Sequence, residues 1–182
     1  MTLFPFFQDI EGQTFLVIGG GAVAAEKVAR LQMFTDRILV IAEQTEITEV
    51  PVLLRPFRDG DISLGDYVIG ATDDRELNRR IAALCKAFGK PVNIVDDPAL
   101  CTFVFPALVK RGGLTVAITT NGKCPAFAQY VRRKLEDTLP AKTETILDEL
   151  YALRSELKKT VPDQRQRARL LKARLYALLE ES

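Results

Sequence analysis

Phe15-Leu-Val-Ile-Gly-Gly-Gly-Ala-Val-Ala-Ala-Glu-Lys27 is the stretch from which the architecture of this chain follows. An apolar run enters Gly19-Gly20-Gly21-Ala22-Val23-Ala24, which fits G-x-G-x-x-A, and Val23, Val28, Leu31 and Phe34 then recur at helical spacing. Strand, glycine turn and helix N-terminus in that order predict a dinucleotide-binding βα unit. Gly19 permits the tight turn, Gly21 lets the backbone approach a pyrophosphate, and Ala24 is small enough for helix to pack on strand. The unpaired N–H groups of the first helical turn then face the phosphate charge.

Strand and helix signals alternate on either side of this unit. Residues 14–19 read as strand, 22–34 as helix, Arg37–Ala42 as a second strand and Val52–Arg55 as a short third. Asp66–Ala71 reads as a fourth strand, and Thr72-Asp-Asp74 after it is an N-cap cluster for a helix whose inner face is Leu77, Ile81, Leu84 and Phe88. Gly89 ends that helix and Pro91–Val95 is a fifth strand. Strands apolar on both faces, alternating with helices, predict a Rossmann-type doubly wound parallel sheet in an α/β fold. Its ligand edge would gather Gly19–Ala24, Glu43, Thr72–Asp74 and Asp96. Beyond Asp96 the pattern changes. Thr102–Pro106 and Leu114–Thr120 are β-rich, with a turn at Lys110–Gly113 between them, and a helix is expected over Ala126–Asp137. Two apolar stripes follow, Ile146-Leu150-Leu153-Leu157 and Leu171-Leu175-Leu178-Leu179, separated by Val161-Pro162, and predict a helical pair. The expected division is 1–106, 107–140 and 141–182.

Composition narrows the function classes. The chain has 182 residues, 47% of them hydrophobic, and a net charge of +1 from 25 basic and 24 acidic residues. So even a balance gives no general field for nucleic acid or an acidic membrane, and neither is expected as a partner. No apolar run approaches the roughly 20 residues that span a bilayer. The start, Met-Thr-Leu-Phe-Pro-Phe-Phe-Gln-Asp9, lacks the basic opening and long apolar run of a signal peptide. Cys85, Cys101 and Cys124 are odd in number and widely spaced, which suits a reducing cytoplasm and no metal site; core packing is expected for the first two. The chain has no histidine, so Ser-His-Asp and Cys-His catalysis are excluded, and proton chemistry falls to carboxylates, lysines, tyrosines or a cofactor.

Glu43, at the end of the second strand, can accept hydrogen bonds from ribose hydroxyls and would repel the extra phosphate of NADP, which no closely following arginine could take. It could equally be a solvated loop acid. Asn93-Ile-Val-Asp-Asp-Pro98 is the second strong feature. Asp96 directly follows a buried strand at the ligand edge, where partly apolar surroundings would raise its proton affinity and suit it as a general base. The alternative is an Asx turn made by Asp96 or Asp97 before Pro98.

Gly19–Ala24, Ala71–Asp74, Asn93–Pro98, Phe103–Pro106 and Asn121–Ala126, in unbroken order, resemble the successive motifs of the precorrin-2 dehydrogenase/sirohydrochlorin ferrochelatase family, found alone or as the N-terminal module of siroheme synthase. The resemblance covers about residues 3–140. It implies a Rossmann domain, a strand-exchanging β-α dimerisation segment and a small helical C-terminal region. It also implies a cytoplasmic homodimer that oxidises precorrin-2 to sirohydrochlorin with NAD and, in bifunctional members, inserts Fe2+ to give siroheme. The family's essential aspartate falls on Asp96, and its NAD contacts fall on Ala22, Val23, Glu43 and Gln44, with Thr72 nearby. Asn93, Thr119, Thr120, Asn121 and Lys123 fall on the substrate side. Asn121 and Cys124 depart from the family's usual glycine and serine, and Glu43 takes a place often held by proline. A polycarboxylate substrate calls for a basic rim, for which Lys110, Arg111, Lys123, Arg132 and Arg133 are candidates. Two other readings compete: a dehydrogenase without chelatase activity, and an NAD-sensing regulatory module.

Overall fold

A computed structural model describes residues 2–181, and the chain divides into two compact units, one running to Phe105 and the other beginning at Pro106. The first is built on β1 (Phe15–Ile18), β2 (Ile38–Ala42), β3 (Val52–Leu54), β4 (Tyr67–Gly70) and β5 (Val92–Ile94). They form one parallel sheet in the order β3-β2-β1-β4-β5. β1 lies at its centre, with Phe15 level with Ile38 and Tyr67, and Ile18 level with Ile41 and Gly70. Every residue of β1 and β4 is buried, which is why these strands read as unbroken apolar runs.

Helix α1 (Ala22–Gln32) packs Ala24, Val28 and Leu31 with Phe15, Val17, Val40 and Ile69 on one face of the sheet. Helix α2 (Arg75–Ala87) packs Ile81, Ala82 and Cys85 with Leu16, Ile18, Val68 and Val92 on the other. The expected doubly wound sheet is therefore the observed one. The winding direction reverses between β1 and β4, and such a reversal opens a crevice at the carboxyl edge of the strands. Of the face expected for α1, Val28 and Leu31 are buried, whereas Val23 and Phe34 are 42% and 41% exposed. Val23 looks into the crevice instead of the core.

Thr102–Pro106 forms no strand. It returns beside the outer strand β5, where Thr102 donates its N–H to the Val92 carbonyl and its hydroxyl accepts from the Val92 N–H, each at 2.8 Å. Phe103 and Phe105 pack against the core. An irregular segment thus covers what would be an open sheet edge. In the second unit, β6 (Ala107–Arg111) and β7 (Leu114–Ile118) pair antiparallel. Lys110 and Arg111 belong to β6, and the turn is confined to Gly112-Gly113, where Gly112 has φ +51°. Helices α3 (Pro125–Thr138), α4 (Thr143–Thr160) and α5 (Gln164–Glu180) follow. α4 and α5 pack together, bury Ile146, Leu157 and Leu178, and share an Arg174–Glu149 ion pair at 2.8 Å.

Candidate functional site

The glycine turn is shaped by two close approaches. Gly19 has φ +122°, and a Cβ there would lie 2.1 Å from the Ala71 carbonyl oxygen. At Gly20 a Cβ would lie 2.1 Å from the Gln44 carbonyl oxygen, and the Thr45 hydroxyl donates to the Gly20 carbonyl at 2.9 Å. Gly21 differs: a Cβ there meets nothing within 4 Å, because the residue borders open space. It is the N-cap of α1 and supplies no side-chain cap, and the first turn of α1 holds no acidic residue. A helix N-terminus with free N–H groups and no competing carboxylate is an anion seat.

That seat opens into a crevice of about 670 Å³ lined from four strand ends, including Gly19–Val23, Glu43, Gln44 and Thr72. Glu43 is exposed at the end of β2. Arg55 lines the same crevice, but its guanidinium is held by both oxygens of Asp61, at 2.7 and 2.8 Å. The pairing keeps the Asp61 carboxyl below the usual aspartate range. The extra phosphate of NADP would therefore face Glu43 and a committed arginine, and the donors and space fit NAD. The loop after β4 is fastened by Asn78, which is buried: its amide donates to the Thr72 carbonyl at 2.8 Å, and the Thr72 hydroxyl donates back to Asn78 Oδ1 at 2.9 Å. Asp74 caps α2, accepting from the N–H groups of Glu76 and Leu77.

Asp96 follows β5 with φ +60°, a left-handed conformation that carboxamide and carboxylate residues tolerate better than most. It is exposed, not set in the partly apolar surroundings expected for it. It lines a second cavity, of about 480 Å³, with Val23, Thr72, Arg75, Asn78 and Arg79. Asp97 makes no capping hydrogen bond to the Pro98–Leu100 turn. The loop is pinned from beneath by Cys101, whose Sγ accepts from the Ile94 N–H at 3.2 Å and lies 3.2 Å from the Ile94 carbonyl and 3.3 Å from that of Asp97. Cys101 is thus a loop clamp and more than core filling. Asn93 is buried, and its amide donates to the Phe103 carbonyl at 3.0 Å, so it braces the same loop from inside. Lys27, half-buried on α1, places Nζ 4.9 Å from the centre of the Phe105 ring. Burial pulls its ammonium below the ordinary lysine range, against the opposing influence of Glu26 and Asp96.

Thr119, Thr120, Asn121 and Lys123 form a separate group in the second unit, in the turn between β7 and α3. The Thr119 hydroxyl accepts from the Asn121 N–H and the Thr120 hydroxyl from the Cys124 N–H, both at 3.1 Å. Asn121 has φ +53°, which accounts for a glycine or asparagine there. Among the candidate rim cations, Lys110 donates to the Gly112 carbonyl, and Arg132 is engaged by Glu136 at 2.6 Å and Gln129 at 2.9 Å. Arg55, Arg75, Asn78, Arg79 and Lys27 were not singled out by sequence. Their places depend on which helix face, or for Arg55 which strand end, meets which cavity, and spacing alone carries no signal for that.

Residues 6–107 match the family described as "Putative NAD(P)-binding". The chain belongs to that family. Residues 111–138 match a second model, "Sirohaem biosynthesis protein central". The siroheme synthase of Ectopseudomonas mendocina (strain ymp) is 38% identical over 173 residues, covering 92% of this chain and 37% of that protein. The siroheme synthase of Thioalkalivibrio sulfidiphilus (strain HL-EbGR7) is 34% identical over 177 residues, covering 93% and 36%. This chain therefore spans little more than a third of the length of these curated relatives. A solved structure, "SirC, precorrin-2 dehydrogenase", shares the fold with a TM-score of 0.76 over 98% of both chains, at 18% identity. The resemblance drawn from the ordered motifs is borne out.

Proposed function

We propose that this chain oxidises precorrin-2 to sirohydrochlorin with NAD and also inserts ferrous iron into the product. One juxtaposition carries the reading: the uncapped N-terminus of α1 and the exposed Asp96 meet across Val23 and Thr72, which line both cavities. Ala22, Val23 and Ala24 would hold the pyrophosphate through their N–H groups, with Gly19 and Gly21 leaving it room, Glu43 and Gln44 on the ribose and Thr72 toward the nicotinamide. When bound, NAD supplies the hydride acceptor. Asp96 takes the accompanying proton and, being exposed, can release it to water. In metallation the same carboxylate accepts protons leaving the pyrrole nitrogens as the iron enters. Thr119, Thr120, Asn121 and Lys123 belong to the substrate side, and Asn93 acts by bracing the Asp96 loop.

A homodimer is part of this proposal. The β6–β7 ribbon is an isolated pair whose outer edges take no further strand among the described residues, and such pairs are marginal alone. Phe127 and Tyr130 stand 57% and 51% exposed on α3. Free cysteines favour a cytoplasmic setting, and no described helix is long and apolar enough to cross a membrane. The test is to follow NADH formation from precorrin-2 with wild-type protein and Asp96→Ala. Turnover should fall by about 10²–10⁴-fold while NAD affinity is kept. Wild-type protein that binds NAD but never yields NADH would instead be a sensor. Supplying sirohydrochlorin and ferrous iron without NAD tests the second activity: no acceleration over the spontaneous rate leaves a dehydrogenase alone.

A further inference from the structure

Arg75 and Arg79 have no part in the chemistry above, yet both line the cavity that Asp96 lines. They stand one turn apart on α2, so their side chains rise from the same helix face. Both are exposed. Among the described residues neither has a carboxylate within ion-pairing distance, whereas the adjacent Arg80 is held by Asp59 at 2.8 Å. Arg75 is also the first residue of α2, where a positive charge opposes the helix dipole. Fold stability therefore gives no reason for a cation there.

The rest of the cavity supplies one. Its other charged lining residues are Asp73, Asp96 and Asp97, all acidic. Without the two guanidiniums, every charged side chain lining this cavity would repel a polyanion. The pyrophosphate seat needs neither of them, because it lies at the α1 N-terminus in the crevice that Arg75 and Arg79 do not line. Planar guanidiniums on a cavity rim suit bidentate capture of carboxylates spread around a flat macrocycle.

We propose that Arg75 and Arg79 bind peripheral carboxylates of the tetrapyrrole and seat the macrocycle over Asp96. This rests on the tetrapyrrole reading above and names the positioning residues it requires. The test compares wild type, Arg75→Gln/Arg79→Gln and Arg75→Lys/Arg79→Lys in three measurements: precorrin-2 turnover, calorimetric NAD affinity, and fluorescence titration with uroporphyrin, which carries the same acetate and propionate side chains. In the glutamine variant KM for precorrin-2 and Kd for uroporphyrin should each rise about tenfold per arginine, with kcat and NAD affinity kept. The lysine variant should recover part of the loss, and the salt dependence of uroporphyrin binding should flatten in the glutamine variant alone. Unchanged KM and Kd in the glutamine variant, beside an active wild type, would overturn the arginine assignment only. A parallel loss of NAD affinity would overturn it in favour of a dinucleotide contact. Wild-type protein that neither turns over precorrin-2 nor binds uroporphyrin would remove the tetrapyrrole reading, and this assignment with it.

Discussion

Cys85 and Cys101 show how differently one residue type is used within one core cluster, the first as buried filling and the second as a clamp on a loop. Burial pushes the Cys85 thiol up to about 11, and it pushes Cys101 up as well. A raised value means that thiolate forms only as the pH climbs toward it, so at pH 8 both side chains remain protonated. Cys124 is exposed. Brief alkylation of the native protein at pH 8 should therefore label Cys124 alone, as read by peptide mass, and labelling of Cys85 at a similar rate would contradict the burial described. The place of Asp96 was legible in sequence, because a carboxylate directly after an apolar strand must fall at the ligand edge. Its exposure and the pinning of its loop by Cys101 were not. They depend on where residues 101–103 return beside β5, a contact between segments that periodicity does not encode.

Among the elements, the glycine turn and α2 were the most legible, since a positive-φ glycine and an aspartate N-cap leave local signatures. Thr102–Pro106 misled for a physical reason. Its β-branched and aromatic residues suit an extended chain, but Thr102 meets the edge of β5 through one backbone bond and one hydroxyl bond, and Phe103 and Phe105 turn onto the core. The 3₁₀ turn Asp59–Leu64, which carried no sequence signal, is tied to the residue after β3 by the Arg55–Asp61 pair. Because the Asp61 carboxyl lies below its ordinary value when folded, the pair stabilises above the unfolded value of about 4 and its contribution is lost as pH falls through the lower folded value. Asp61→Asn should lower the thermal midpoint at pH 7, and the difference from wild type should shrink on acidification below about pH 4. A difference that stayed constant with pH would show that the aspartate acts through packing alone.

For the molecule taken together, the doubly wound unit could be read from alternation, whereas in the second unit β7, α3 and the helical stripes were legible and β6 was not. The reason lies in burial. The sheet encloses β1 and β4 completely, so their sequences are constrained on both faces. In the second unit few side chains are buried, and β7 holds no fully buried residue. The near-neutral charge of +1 leaves recognition of a polyanion to local groups, for which the α1 N-terminus is proposed to hold the dinucleotide and the α2 arginines the macrocycle. All of this converges on a single arrangement at the carboxyl edge of the sheet. A crystal structure with NAD and sirohydrochlorin bound measures it directly. The macrocycle should lie over Asp96 with a carboxylate oxygen about 3 Å from a pyrrole nitrogen or its bridging water, and with the dinucleotide phosphates on the α1 N-terminus. A tetrapyrrole seated elsewhere, with Asp96 turned to bulk solvent, would contradict the account.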